Sequence, residues 1–234
     1  MINTKDIFTI EHYEFPYLYK FPGQSSDERI LFITRESDVI LVFRQVMISL
    51  AAAAIFLAGY AISRLAESLL GSGLSGIIEI LFAAIAMVFA VAGFWWVTTL
   101  WKHSIAVITN KRLSKFVYTT PWNRHNLSLP LDMIVDTGAY SKGFLQAFFK
   151  LGTFTARSSA SSSGVATDDP GRVNKKYFYI ENVIRAEDIH NYIHKVLFVF
   201  RQDWKQLDTY RPFLPHLKGE ARKEFMKQYP EYWS

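Results

Sequence analysis

ILFAAIAMVFAVAGFWWVTTLW, residues 80–101, is a run of 22 residues with no charged side chain, bounded by Glu79 and Lys102. At about 1.5 Å per residue, a helix of this length covers the ~30 Å hydrocarbon core of a bilayer. Toward the N-terminus, QVMISLAAAAIFLAGYAIS, residues 45–63, is a second uncharged run, of 19 residues. Val39 to Phe43 extend it. Arg44 falls near one helix end, where its long stem lets the charge reach the headgroups. A chain of 234 residues has no soluble core large enough to wrap two such helices. The sequence therefore predicts a transmembrane hairpin, with spans at 39–63 and 77–101 and an external loop at 64–76. Trp95, Trp96 and Trp101 gather at the Lys102 end, where amphipathic rings form an interfacial belt.

Basic residues set the expected orientation. Arg64 to Glu79 carries one basic residue, whereas Lys102 to Leu131 carries Lys102, Lys111, Arg112, Lys115 and Arg124 and no Asp or Glu. The positive side faces the cytoplasm, so both termini are expected there, in a multi-pass protein of the plasma membrane. Residues 1–38 are mixed and charged, and no signal peptide is expected in them. Gly71, Gly73 and Gly76 match a dinucleotide-binding fingerprint. That motif needs a preceding strand and a downstream acid, and here an apolar helix precedes it and Trp95-Trp96 follows, so it reads as the turn of the hairpin.

Composition narrows the chemistry. With no cysteine in the chain, disulfides, thiolate catalysis and cysteine-based metal sites are excluded. The formal charge of +5 is too modest, without a stacking motif, to indicate nucleic acid. Nucleophile elbows and phosphate loops are absent, and the serines concentrate in one polar stretch. No enzyme activity, cofactor or metal is expected.

After Lys102 the pattern changes to short strand-like runs divided by turn residues: 104–109, 113–118, 126–131, 133–140, 151–157 and 177–183. Two helical patterns break the series. Residues 142–150 carry Phe144, Leu145, Phe148 and Phe149 as a one-turn stripe, and residues 186–200 carry Ile189, Ile193, Val196, Leu197 and Phe200 on one face. A soluble domain over 102–200 follows, with a Ser-rich loop at 157–174, then a mixed-charge tail at 201–234 with a short helix over 218–228.

Ile108-Thr109-Asn110-Lys111-Arg112-Leu113 resembles the first hairpin of the bacterial pleckstrin-homology-like (PH-like) membrane proteins. Leu129-Pro130-Leu131-Asp132-Met133-Ile134-Val135-Asp136 is similar to their I-P-L-x-x-I-x-D segment. Gly152-Thr153-Phe154 resembles their G-T-I strand, and Glu181-Asn182-Val183 the x-N-V step before their closing helix. Phe21-Pro22-Gly23-Gln24 and Asp27-Glu28 look like the stretch that leads to their first span. The resemblance covers residues 21–200. It implies an α+β fold: a PH-like β-sandwich or partly open barrel, capped by a C-terminal helix. It implies a fold more than an activity.

Lys102, Lys111, Arg112, Lys115 and Arg124 are the candidate contacts to anionic lipid headgroups; topology determination explains the same charges equally well. His190 and His194, four apart with Glu187 one turn earlier, suit a solvated helix face better than a metal. The Phe144 stripe is expected to pack beneath a sheet rather than dip into a bilayer. The leading expectation is a noncatalytic, membrane-anchored binding module at the inner leaflet, contacting anionic headgroups or a protein partner. The alternative is a structural subunit of a membrane complex or homo-oligomer, helped by small residues such as Ala51 to Ala54, Gly59 and Gly93.

Overall fold

The computed structural model describes residues 5–7, 19–70, 72–159, 177–213, 220, 223 and 227. In chain order these form β1 (Lys5–Asp6), β2 (Tyr19–Lys20), β3 (Ile30–Arg35), α1 (Asp38–Leu70) and α2 (Ser72–His103). Then come β4 (Ile105–Thr109), β5 (Arg112–Thr120), β6 (Asn123–Pro130), β7 (Ile134–Tyr140), α3 (Phe144–Phe148), β8 (Leu151–Ser158), β9 (Tyr177–Ile184) and α4 (Ala186–Gln202). The chain divides into a β-rich unit and a second unit made of the two long helices together with residues 120–122.

The β-rich unit is α+β, with a four-stranded sheet ordered β3-β4-β5-β6 and a three-stranded sheet ordered β7-β8-β9, and among the described residues neither closes into a barrel. β1 and β2 form a separate short parallel pair. The six strands expected after Lys102 are present, with ends shifted by a few residues. β3 was not expected. Residues 1–38 read as a separate N-terminal segment, yet β3 pairs antiparallel with β4, with Phe32 opposite Ile108 and Arg35 opposite Ile105. Both long helices are thus inserted between neighbouring strands of one sheet. The domain starts well before residue 102.

Burial explains why β3 and β4 read as continuous apolar runs rather than as alternating strands. Ile105 and Val107 face one cluster with Ile7, Tyr19, Phe21, Ile30, Ile33 and Phe116. Ala106 and Ile108 face the main core on the other side. A strand covered on both faces loses its period of two. The register shift between Ile30 and Phe32 puts Leu31 and Phe32 into the same main core. That core joins both sheets to α4: Leu31, Ile108 and Leu113 come from the four-stranded sheet, Phe154, Phe178 and Ile180 from the three-stranded one, and Ile189, Ile193 and Val196 from α4. The apolar face of α4 read from its 3.6-residue period is the face that is buried.

In the second unit, α1 and α2 run antiparallel. Gln45 Nε2 lies 3.3 Å from Thr98 Oγ1, and Ser63 Oγ lies 2.9 Å from Glu79 Oε1. Glycines permit close approach: a Cβ on Gly59 would sit 2.2 Å from Cβ of Phe82, and one on Gly93 would sit 2.9 Å from Ile48. The external loop expected at 64–76 is helical on both sides of Gly71, which itself lies outside the described residues. Residues 64–70 are mostly good helix formers, and Arg64 pairs with Glu67 one turn on at 2.9 Å. The Ser-rich loop from residue 160 and most of the tail helix at 218–228 also lie outside the described residues.

Candidate functional site

The hairpin between β4 and β5 carries three of the five basic candidates, and its charges are largely engaged within the chain. Glu28 is the hub. Its side chain is 0% exposed, and both carboxylate oxygens accept from Arg112, from Nε and Nη2 at 2.8 Å each. The Thr109 hydroxyl donates to it at 2.8 Å and the Ser25 N–H at 3.1 Å. Arg112 Nη2 also donates to the Gly23 carbonyl at 2.6 Å. Burial alone would raise the Glu28 pKa, but the bonds from Arg112, Thr109 and Ser25 outweigh it and hold the carboxyl below its ordinary value. Arg112 is correspondingly raised, with Glu28 as the main cause.

Asn110 ties the same knot from the turn. Its Oδ1 accepts from the Arg29 N–H at 2.9 Å, and its Nδ2 donates to Asp208 Oδ1 at 2.8 Å. Lys111 bonds to Asp27, and that bond is the chief reason the Asp27 carboxyl is held below its usual range. The Thr109-to-Arg112 motif and the Phe21-to-Glu28 stretch thus have one physical role, a polar clasp on the sheet. Lys115, on β5, is half-buried; burial lowers its pKa, with Glu181 and Glu36 opposing. The sequence places these three cations on a lipid-facing hairpin. The structure uses Arg112 and Lys111 to neutralise Glu28 and Asp27.

Lys102 and Arg124 are exposed, and Arg124 lies over the Phe116 ring at 5.8 Å. The helical unit carries an aromatic group of its own. Trp95 and Trp96 are joined by Trp122, from the turn between β5 and β6, with ring centroids 6.3 Å and 5.9 Å away. Trp122 is 79% exposed and Trp95 54%, while Trp96 and Trp101 are half-buried. Sequence reasoning missed Trp122. Its signal was a lone aromatic after Pro121 in a turn, flanked by Arg124.

One further expectation is corrected. Phe144, Phe148 and Phe149 are not beneath a sheet; they are 79%, 67% and 42% exposed. The inner position of α3 belongs to Gln146, which bonds to the Lys142 N–H at 2.7 Å, Thr153 Oγ1 at 3.3 Å and Asn182 Oδ1 at 2.8 Å. Residues 144 and 148 lie on the opposite side of a helical turn from 146, so the aromatic stripe faces outward.

A cleft of about 340 Å³ is lined by Tyr140, Lys150, Gly152, Arg185, Glu187 and Asp188. Both charge signs are present, and Arg185 faces Asp188 at 3.7 Å, so no single ligand charge is selected. The His190 and His194 rings are 6.3 Å apart, and His190 Nε2 lies 3.1 Å from the Thr137 carbonyl. Among the described residues, no group of three or more His, Asp or Glu converges as a metal site would require.

Comparison of the chain with protein-family models, with curated proteins and with solved structures yields no match. The class that the fold defines is an α+β chain with two helices long and apolar enough to cross a membrane, Asp38–Ser68 and Ser75–His103.

Proposed function

We propose that this chain is a noncatalytic, membrane-anchored module. In this reading α1 and α2 cross the plasma membrane as a hairpin. The β-rich unit, on the cytoplasmic side, works against the inner leaflet and contacts anionic headgroups or a protein partner. One observation carries the reading: only 6% of the most apolar stretch of each long helix is buried within the protein. Val42, Met47, Leu57, Ile80, Met87 and Val91 are all at least half exposed. Apolar surface on this scale is not left in water, and a bilayer supplies the missing solvent. Two open sheets closed by an amphipathic helix support a PH-like module as the cytoplasmic part.

In this reading the contact to lipid draws on the exposed Lys102 and Arg124 of the β-rich unit and, separately, on the Trp95–Trp96–Trp122 group of the helical unit. Each exposed cation near an anionic leaflet gains about 1 kcal/mol. Hydrogen exchange of the full chain in nanodiscs tests this. A fragment from Lys102 onward would lack β3 and is unsuitable. Adding phosphatidylglycerol to phosphatidylcholine is expected to slow exchange in residues 120–124, and a Lys102→Glu, Arg124→Glu double variant to abolish the slowing. Exchange that is indifferent to lipid charge would remove headgroup contact and leave the protein partner. The exposed Ala51, Ala54, Ala58 and Ala61 on one face of α1 favour a second reading, a packing subunit in a complex. A discrete multimer in detergent would mark it.

A further inference from the structure

Resting on that membrane reading, we infer that α3 is a second, interfacial membrane anchor: an aromatic wedge that enters the headgroup region of an anionic bilayer. The wedge is continuous. The Phe144 and Phe148 rings stack at 5.6 Å, and Phe149 meets Phe148 edge-on at 5.0 Å. All three rings are exposed, and none belongs to either buried cluster. Exposed lysines bracket them, Lys142 on one side and Lys150 on the other, each long enough to reach phosphate while the rings sit deeper. That pattern, aromatic tip with a cationic collar, is complementary to an anionic lipid surface. A second copy of the same patch would set lysine against lysine.

α3 is tied by hydrogen bonds to the residues that immediately precede the first apolar helix. Gln146, in the middle of α3, donates to Asn182 Oδ1 at 2.8 Å, and Asn182 Nδ2 donates to Glu36 Oε1 at 2.6 Å. The Asn182 carbonyl also accepts the Ser37 N–H at 2.9 Å. Asp38, the next residue, begins α1. Two side-chain hydrogen bonds therefore link α3 to the residues from which the first apolar helix departs. Asn182 holds this junction in the left-handed region, at φ 54°, a conformation asparagine tolerates better than most residues. The Phe, Lys and Gln residues of this segment then have one joint purpose, Gln146 fixing the wedge and the rings and lysines meeting lipid.

The chain lacks cysteine, so single labels are unambiguous. The full chain would carry an environment-sensitive fluorophore on Phe148→Cys or, separately, on Met87→Cys in α2, in nanodiscs of phosphatidylcholine and phosphatidylglycerol. The Phe148 label is expected to shift to the blue and lose iodide quenching. It is also expected to gain quenching by lipid bearing a doxyl group near the headgroup end of its acyl chain. Lys142→Glu and Lys150→Glu together should reverse all three. If the Phe148 label is open to iodide while the Met87 label is quenched by lipid, the wedge is overturned and the hairpin stands. A Phe148 label shielded from both quenchers overturns it in favour of a covering protein. Iodide quenching at Met87 removes the hairpin and the wedge with it.

Discussion

Replacing Arg112 with alanine is expected to destabilise the β-rich unit by roughly 3–5 kcal/mol, because it leaves Glu28 buried without its counter-ion. The reverse change, Glu28→Ala, is expected to cost less, about 1–3 kcal/mol, since the stranded guanidinium keeps 28% of its side-chain exposure and can take up water. Arg112→Lys preserves the charge but not the two-point bond to both carboxylate oxygens, so it falls between wild type and alanine. Denaturant unfolding of the full chain in mild detergent reads all three. Wild-type stability for Arg112→Ala would show that the clasp is ornamental and would return Arg112 to the set of lipid contacts. The same pair sets an acid limit. Glu28 has its pKa lowered in the folded chain from an ordinary 4.5, so its contribution is complete above that value. Stability is then lost as pH falls through the lowered value. Glu28→Gln should flatten that part of the stability curve.

Val88→Arg is the second large effect. Val88 lies at the middle of α2 and is 67% exposed. If lipid surrounds it, arginine there is expected to oppose insertion by about 2.5–3.5 kcal/mol. On a water-facing surface the same change is worth within about 0.5 kcal/mol. A glycosylation-reporter assay of α2 insertion separates the two, with Val88→Leu as the neutral control. Insertion of Val88→Arg at the wild-type level would argue that α2 meets something other than lipid.

How much was legible in the sequence varies with the range of the interaction. The two long helices were legible because long uncharged runs are a local signal. The strands after Lys102 were legible because turn residues divide them. β3 was not, because Ile30 to Arg35 is buried against two clusters and shows no alternation, and its partner Ile105–Thr109 lies beyond both helices. The charges of Lys111 and Arg112 were visible, but Glu28 lies 84 residues from Arg112, and nothing local announces that bond. The spacing of Phe144, Phe148 and Phe149 shows a one-turn helical stripe but not which way it faces. One polar residue, Gln146, takes the inner position and turns the rings out. Trp122 escaped notice because a single tryptophan in a turn has no pattern until it meets Trp95 and Trp96.

Everything proposed for the β-rich unit depends on what surrounds α1 and α2. The most direct measurement is to express the intact chain, wash the membranes at alkaline pH, and separate pellet from supernatant. The chain is expected to stay with the sedimented bilayer and to be released only by detergent. Recovery of a folded, discrete species in the detergent-free supernatant would contradict lipid as the solvent of both helices.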